Sequence, residues 1–199
     1  MGGALTAVLS AATTQGLSVI PVTGVPEVGP GDDLAKVIIA ALEFQGLALL
    51  DGDVVVVASK VVSKAEGRGV AELPGPGARA IQLADETGFE PGLVELILSE
   101  TRQVLRSRPR VLVVETRQGM VCANAGVDRS NTGAATALLL PLDSDTSARA
   151  LGAALVAHFN AAVAVLVSDT FGRPFRYGLV NVAIGVSGLK PIRDYRGQA

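Results

Sequence analysis

The sequence predicts a mixed α/β fold of the α+β kind, in which mixed sheets are flanked by helices. Stretches with the period of a strand alternate along the chain with stretches that carry apolar residues at helical spacing. Some predicted strands also follow one another as adjacent pairs, which a purely alternating fold does not require. No apolar run approaches the roughly 20 residues that a membrane-spanning helix needs, so we expect no membrane segment.

The first half of the chain predicts two strands around one helix. Residues 1–16 are expected to form a flexible lead-in. The apolar stripe that begins at Leu34 has the i, i+3, i+4 spacing of a helix that packs on a sheet. The predicted elements are a strand at 17–22, a helix capped by Asp32 or Asp33, a turn at Asp51-Gly52 and a valine strand at 53–58 that is buried on both faces.

The second half begins after a proline-rich break at 73–77, which indicates a boundary between two subregions. Pro91 is expected to open a helix, because the first helical position has no intrahelical partner for a backbone N–H. The predicted elements are helices at 78–87, 91–106 and 146–159, a strand pair at 111–115 and 121–127, and strands at 163–167 and 181–186.

Composition excludes several classes of protein. The 17 basic and 19 acidic residues give a net charge of -2, so nothing favours a nucleic-acid partner. The single cysteine, Cys122, excludes an internal disulfide framework, and the single histidine, His158, excludes a histidine-rich zinc site. We therefore expect a reducing, cytoplasmic setting, with Cys122 as a small buried apolar residue and His158 at the surface.

Three polar clusters each follow a predicted strand, which is where α/β proteins place ligand-binding groups. The first runs from Ser59 to Arg68 and holds cations and hydroxyls that suit phosphate oxygens, although a solvated strand end would look the same. The second, 124–131, centres on Asp128, whose carboxylate suits Mg²⁺ or Mn²⁺ but is also typical of a local Asx turn. The third, 168–176, centres on Asp169, which could bind a metal or pair with an arginine beside it.

The combination of these clusters favours phosphoryl transfer. Two aspartates after different strands, with Lys and Arg nearby, could hold a metal and offset phosphate charge. Neither a G-x-x-x-x-G-K-[ST] loop nor a G-x-G-x-x-G fingerprint occurs, so a nucleotide would have to be held by another scheme.

The chain resembles the coenzyme F-420-0:L-glutamate ligase family, also called the F-420 gamma-glutamyl ligases, from about Val19 to its end. The stretches that carry the resemblance are 24–28, 31–34, 63–68, 124–131 and 168–173, which occur in the family's order and at its approximate spacing. The resemblance implies one family domain over 17–199, two interleaved subdomains and an intertwined homodimer. The family usually continues for some tens of residues beyond the position of Ala199, so part of its C-terminal region is expected to be missing.

The resemblance also implies roles for individual residues. The implied nucleotide-binding residues are Val25, Pro26, Glu27, Val28, Ser59, Lys64 and Asn131, and the implied metal ligands are Asp128, Asp169 and Thr170. Lys64 would also stabilise the transferring phosphoryl group. As a separate hypothesis, Arg173 and Arg176 receive an acidic substrate.

The reaction implied is GTP-dependent formation of an amide bond between L-glutamate and F-420-0, through an acyl phosphate, followed by gamma-linked additions. Mg²⁺ or Mn²⁺ and a monovalent cation, usually K⁺, would be required. Two other functions are compatible with the same residues: a different metal-dependent phosphotransferase or phosphohydrolase, and a GTP-binding module without turnover.

Overall fold

The computed structural model describes residues 16–130, 132–172 and 178–197, and within these ranges the strands form three sheets. The strands are β1 Val54–Ala58, β2 Gly69–Val70, β3 Thr101–Arg108, β4 Val111–Thr116, β5 Val121–Ala123, β6 Ala137–Leu138, β7 Ala164–Gly172 and β8 Leu179–Ser187. The first sheet has the order β1-β7-β8, in which β1 and β7 are parallel and β7 and β8 antiparallel. The second pairs β2 with β6, and the third has the antiparallel order β3-β4-β5.

Local capping signals determine where the longer helices begin and end. The Asp33 side chain accepts the backbone N–H of Lys36 at 3.2 Å, and Asp143 accepts that of Thr146 at 2.9 Å, so each caps a helix. Gly88, with φ of 72°, ends the third helix in the left-handed conformation that glycine adopts readily. The helices are α1 Leu34–Phe44, α2 Ser59–Ala65, α3 Ala78–Thr87, α4 Pro91–Ser99 and α5 Ser144–Phe159.

Two large hydrophobic cores divide the described chain into two interleaved parts, and a third, smaller cluster adjoins the second core. The first core joins α1 and α5 to the β1-β7-β8 sheet, and its buried members include Leu42, Leu155 and Val165. The second joins α3 and α4 to the β3-β4-β5 sheet around residues such as Ile97 and Leu112. The first core takes residues from both sides of the second along the chain, and the predicted mixed fold of helices and mixed sheets is confirmed.

Several predicted elements need correction because strand pairing overrides local pattern. Residues 17–22 form no strand, since none of the described strands pairs with them, and Leu17 and Val19 are exposed. Residues 101–106 are not the end of a helix: they form β3 because their β-branched residues pair with β4. The strand predicted at 121–127 stops at Ala123, where the backbone turns into a short 3₁₀ turn, Asn124–Gly126.

The valine strand is buried on one face only. Val55 and Val57 face the first core, whereas Val54 and Val56 are 47% and 61% exposed. The reason is that the apolar residues of α1 and α5 pack in the first core, on the side of Val55 and Val57, and leave the face with Val54 and Val56 exposed. The predicted strand at 163–167 is instead β7, which continues to Gly172 and therefore contains Asp169.

No helix in the described ranges combines the length and the apolar character needed to cross a bilayer.

Candidate functional site

Parallel pairing of β1 with β7 brings the first and third polar clusters together. Ala58, the last residue of β1, is in register with Ser168 of β7, so Ser59, the first residue of α2, lies beside Asp169 of β7. The Ser59 hydroxyl donates to Asp169 Oδ1 at 2.6 Å and is itself buried. The strand order therefore determines the position of one carboxylate of the site, that of Asp169.

A strained backbone turn places the second carboxylate. Asn124 and Ala125 have φ of 54° and 52°, a left-handed conformation that is rare for residues with a side chain. The Asn124 side-chain oxygen accepts the backbone N–H of Leu112 at 3.0 Å, which ties the turn to the start of β4. Two residues after the turn, the backbone of Asp128 exchanges hydrogen bonds of 3.0 and 2.8 Å with Leu138. The second cluster is thereby fixed against the 138–140 segment.

A small cavity contains both carboxylates, Asp128 and Asp169. Its other walls are polar residues of α2, the turn at Gly126 and the leucines of 138–140. The polar residues from α2 are Ser59, Lys60 and Ser63. In the part of the chain that the structure describes, no group of three or more acidic, histidine or cysteine side chains is placed to hold a metal, so two carboxylates are what this cavity offers.

Asp128 forms an ion pair with Lys60, a residue to which the family resemblance assigned no role. The Lys60 ammonium contacts Asp128 Oδ2 and lies 2.9 Å from the Ser130 hydroxyl. The backbone N–H of Ser130 donates to Asp128 Oδ1 at 2.7 Å. Desolvation acts to raise the pKa of Asp128, but the hydrogen bonds from Lys60 and Ser130 outweigh it and leave this pKa below its ordinary value. The signal in the sequence is the spacing of Lys60 and Lys64, which places both on one face of a helix.

Lys64 lies one helical turn further along α2 and pairs with the loop that precedes α1. Its ammonium is 2.5 Å from Glu27 Oε1. The backbone N–H of Gly31 donates to the backbone carbonyl oxygen of Ala65 at 2.8 Å, which holds this loop on the end of α2. Within 25–28, Val28 is buried while Val25, Pro26 and Glu27 are exposed, so the implied nucleotide-binding loop and lysine are adjacent.

The two remaining charged residues of the first cluster serve the fold. The Arg68 guanidinium donates to the carbonyl of Leu140 at 2.9 Å and pairs with Glu100 at 3.0 Å. Glu66 accepts the backbone N–H of Leu142 at 3.2 Å and the Ser147 hydroxyl. Both residues position the 138–142 segment that lines the cavity, so of this cluster Ser59, Lys60 and Lys64 remain for a ligand.

Thr170 does not line the cavity. It follows Asp169 in β7, where successive side chains point to opposite faces, and its hydroxyl donates to Asn181 Oδ1 at 2.8 Å. Its implied role as a metal ligand stays a prediction. Asn131, Arg173 and Arg176 lie outside the described residues.

Cys122 and His158 stand where the sequence predicted them. Cys122 is buried, and desolvation together with the negative charge of Asp169 raises its thiol pKa to about 11, which disfavours the thiolate. His158 is exposed at the end of α5, 2.9 Å from Glu43 of α1.

A larger cavity, of about 300 Å³, lies between α1, α2 and α5, but its acidic groups already have partners. Asp32 accepts the backbone N–H of Gly29 at 2.7 Å, Asp33 caps α1, and Glu66 is bound as described above. The small cavity, with its two carboxylates and adjacent lysines, is therefore the better candidate for chemistry.

Comparison with known proteins identifies the family. A sequence model described as F420-0:Gamma-glutamyl ligase matches residues 24–199. The chain belongs to this family. A relative named Coenzyme F420:L-glutamate ligase, from Methanothermobacter thermautotrophicus, is 48% identical over 185 residues, covering 92% of this chain and 73% of the relative. Relatives of the same name from Methanopyrus kandleri and Halobacterium salinarum are 44% and 48% identical and cover 92% and 89% of this chain, and 72% and 69% of their own lengths.

Membership in the ligase family confirms the resemblance inferred from the five motif stretches. Those stretches supply both carboxylates of the small cavity and Lys64, so the residues that carry the family likeness include the acidic groups of the candidate site.

Proposed function

We propose that this chain is a GTP-dependent ligase that forms an amide bond between L-glutamate and F-420-0 in coenzyme F-420 biosynthesis, and then adds further glutamates in gamma linkage. One observation carries the proposal beyond family membership: Asp128 and Asp169, from different segments of the chain, share a cavity whose wall includes Lys60 of α2. Lys64 stands on the next turn of the same helix.

The donor set of the cavity fits Mg²⁺ or Mn²⁺. These ions take oxygen ligands, and Mg²⁺ usually binds one or two carboxylates while substrate phosphates and water complete its coordination. Asp128 and Asp169 are the residues that would hold it. When bound, such an ion offsets the negative charge on phosphate oxygens and so favours phosphoryl transfer.

The reaction needs activation because a carboxylate is too poor an electrophile to accept an amine directly. In the proposed scheme, a carboxylate oxygen of F-420-0 attacks the γ-phosphorus of GTP, and the bond to GDP breaks. The glutamate nitrogen then attacks the acyl carbon, phosphate leaves, and the nitrogen loses a proton. Lys64 stabilises the phosphate oxygens as a mobile point charge, and Val25, Pro26, Glu27, Val28, Ser59 and Asn131 hold the nucleotide.

The remaining roles are part of the same proposal. Arg173 and Arg176 receive the acidic precursor or the incoming glutamate, Thr170 contributes to the metal site, and K⁺ assists the reaction in a cytoplasmic homodimer. Support for a homodimer comes from the uncovered face of the first sheet, where Val54 and Val56 are exposed.

Mass spectrometry of the deazaflavin product tests the proposal. We expect F-420-0 to gain one or more glutamyl residues after incubation with this protein, GTP, Mn²⁺ and L-glutamate, and to gain none when GTP or glutamate is omitted. GDP release that needs neither F-420-0 nor glutamate would instead assign the chain to the phosphohydrolases. If the protein bound GTP but formed no product with any combination of substrates, it would instead be a GTP-binding module without turnover.

A further inference from the structure

The two carboxylates of the cavity have different partners, because Asp128 pairs with Lys60. Asp128 holds a full positive charge at Oδ2, whereas the hydrogen-bond partner found for Asp169 within the described residues is the neutral hydroxyl of Ser59. The pair is half-buried: the side chains of Lys60 and Asp128 are 37% and 31% exposed. One of the two proposed metal ligands is therefore already neutralised by the protein itself.

Asp128 does not need Lys60 for its orientation. The backbone N–H of Ser130 donates to Oδ1 at 2.7 Å, the Ser130 hydroxyl donates to Oδ2 at 3.2 Å, and the backbone of Asp128 is paired with Leu138. If Lys60 only held Asp128 in place, it would repeat what Ser130 and Leu138 already do. What Lys60 adds is charge, placed on one of the two carboxylates that would hold the divalent cation.

We propose that Lys60 is a resident cation that competes with the divalent metal for Asp128, an inference that rests on the proposed function. Without metal, the ammonium keeps the two carboxylates from repelling each other across a small cavity. A divalent ion held by Asp128 would repel the ammonium, so the ammonium would have to leave Oδ2 for the metal to bind. The lysine stem is long and flexible, so the displaced ammonium stays at the mouth of the cavity, where a phosphate oxygen is a suitable new partner.

Calorimetric titration of Mn²⁺ into the full chain, without nucleotide, tests this role. We expect Lys60→Met to bind Mn²⁺ about fivefold more tightly than the unaltered protein, the effect of removing one half-exposed ion pair that the metal must otherwise break. Lys60→Arg, which keeps the charge, should bind as weakly as the unaltered protein. Lys64→Met is the matched control, since it removes a lysine one helical turn away that pairs with Glu27 rather than with Asp128.

The outcomes separate the possibilities. Equal or weaker Mn²⁺ binding by Lys60→Met would overturn the proposal, and so would an equal gain in Lys64→Met, which would point to general charge rather than to competition at Asp128. In either case, loss of Mn²⁺ binding in Asp128→Asn would show that Asp128 belongs to a metal site even though Lys60 does not compete for it. Absence of Mn²⁺ binding in every variant would remove the metal site from the proposed function, and the role of Lys60 with it. Urea unfolding of Lys60→Met confirms that the variant is folded.

Discussion

At the scale of single residues, the site depends on two carboxylates that use different kinds of partner. Asp169 accepts a hydrogen bond from the buried hydroxyl of Ser59, and Asp128 pairs with Lys60. The sequence predicted both aspartates, since each lies in a motif stretch. It did not predict the Lys60 pairing, because Lys60 and Ser130, its second partner, are 70 residues apart and only the fold brings them together.

Replacing either aspartate by asparagine should abolish ligation and leave the fold intact. Asparagine can still accept a hydrogen bond from Ser59 or Ser130, so we expect the free energy of unfolding to change by about 1 kcal/mol or less. It cannot supply the negative charge that a metal requires. Product mass spectrometry and urea unfolding of Asp128→Asn and Asp169→Asn measure the two effects.

Asp85→Asn is the matched control, because Asp85 is exposed on α3 in the other core and has no part in the cavity. It should retain the activity of the unaltered protein. Ligation at near-normal rate in Asp128→Asn or Asp169→Asn would remove that carboxylate from the mechanism.

At the scale of elements, the sequence predicted those helices whose ends and positions depend on interactions between neighbouring residues. The cap at Asp33 and the helix at 78–87 follow from short-range hydrogen bonds and apolar spacing. Residues 101–106 continue the apolar pattern of α4, and only their pairing with β4 makes them a strand. The turn at 124–126 was likewise hidden, since its left-handed backbone at Asn124 and Ala125 depends on contacts from β4 and from the 138–140 segment.

Gly126 should be the most sensitive position of that turn. Its φ is 70°, and a Cβ there would lie 2.5 Å from Leu140 Cδ1, so alanine would suffer both backbone strain and a clash with the cavity wall. We expect Gly126→Ala to lower the free energy of unfolding by about 2 to 4 kcal/mol, as measured by urea denaturation.

Gly119→Ala separates the two causes. Gly119 has φ of 85°, but a Cβ at this position would meet nothing within 4 Å. Its substitution should therefore cost only the backbone strain, about 1 to 2 kcal/mol. Equal losses in the two variants would show that the close approach to Leu140 has no energetic consequence.

At the scale of the whole molecule, one chain builds two cores and places the cavity where their segments meet. The first core supplies β1, α2 and β7, and the 3₁₀ turn that packs into the second core leads to Asp128. The sequence indicated two subregions from the break at 73–77. It overestimated the burial of β1, because a valine strand looks the same whether its second face is covered by the same chain or by another.

The uncovered face of the first sheet predicts where a second copy would bind. Strand register places Val56, Leu166 and Val186 in a row across β1, β7 and β8 on the side away from α5, and Val56 is 61% exposed. Burying such a row in a symmetric interface would remove apolar surface from water, and a charge placed in the row would oppose this. We expect Val56→Glu to raise the dissociation constant of the proposed homodimer at least about thirtyfold, as measured by light scattering over a dilution series.

Leu105→Glu provides the comparison for that measurement. Leu105 is 47% exposed on β3, at the edge of the other sheet, and its replacement adds the same charge. It should leave the dimer unchanged if the first sheet forms the interface. Dissociation by Leu105→Glu with no effect of Val56→Glu would move the interface to β3, and a monomer at every concentration of the unaltered protein would exclude the dimer. Because the valines on the opposite face of β1 belong to the first core, urea unfolding of Val56→Glu should remain cooperative, and the loss of association can then be assigned to the surface alone.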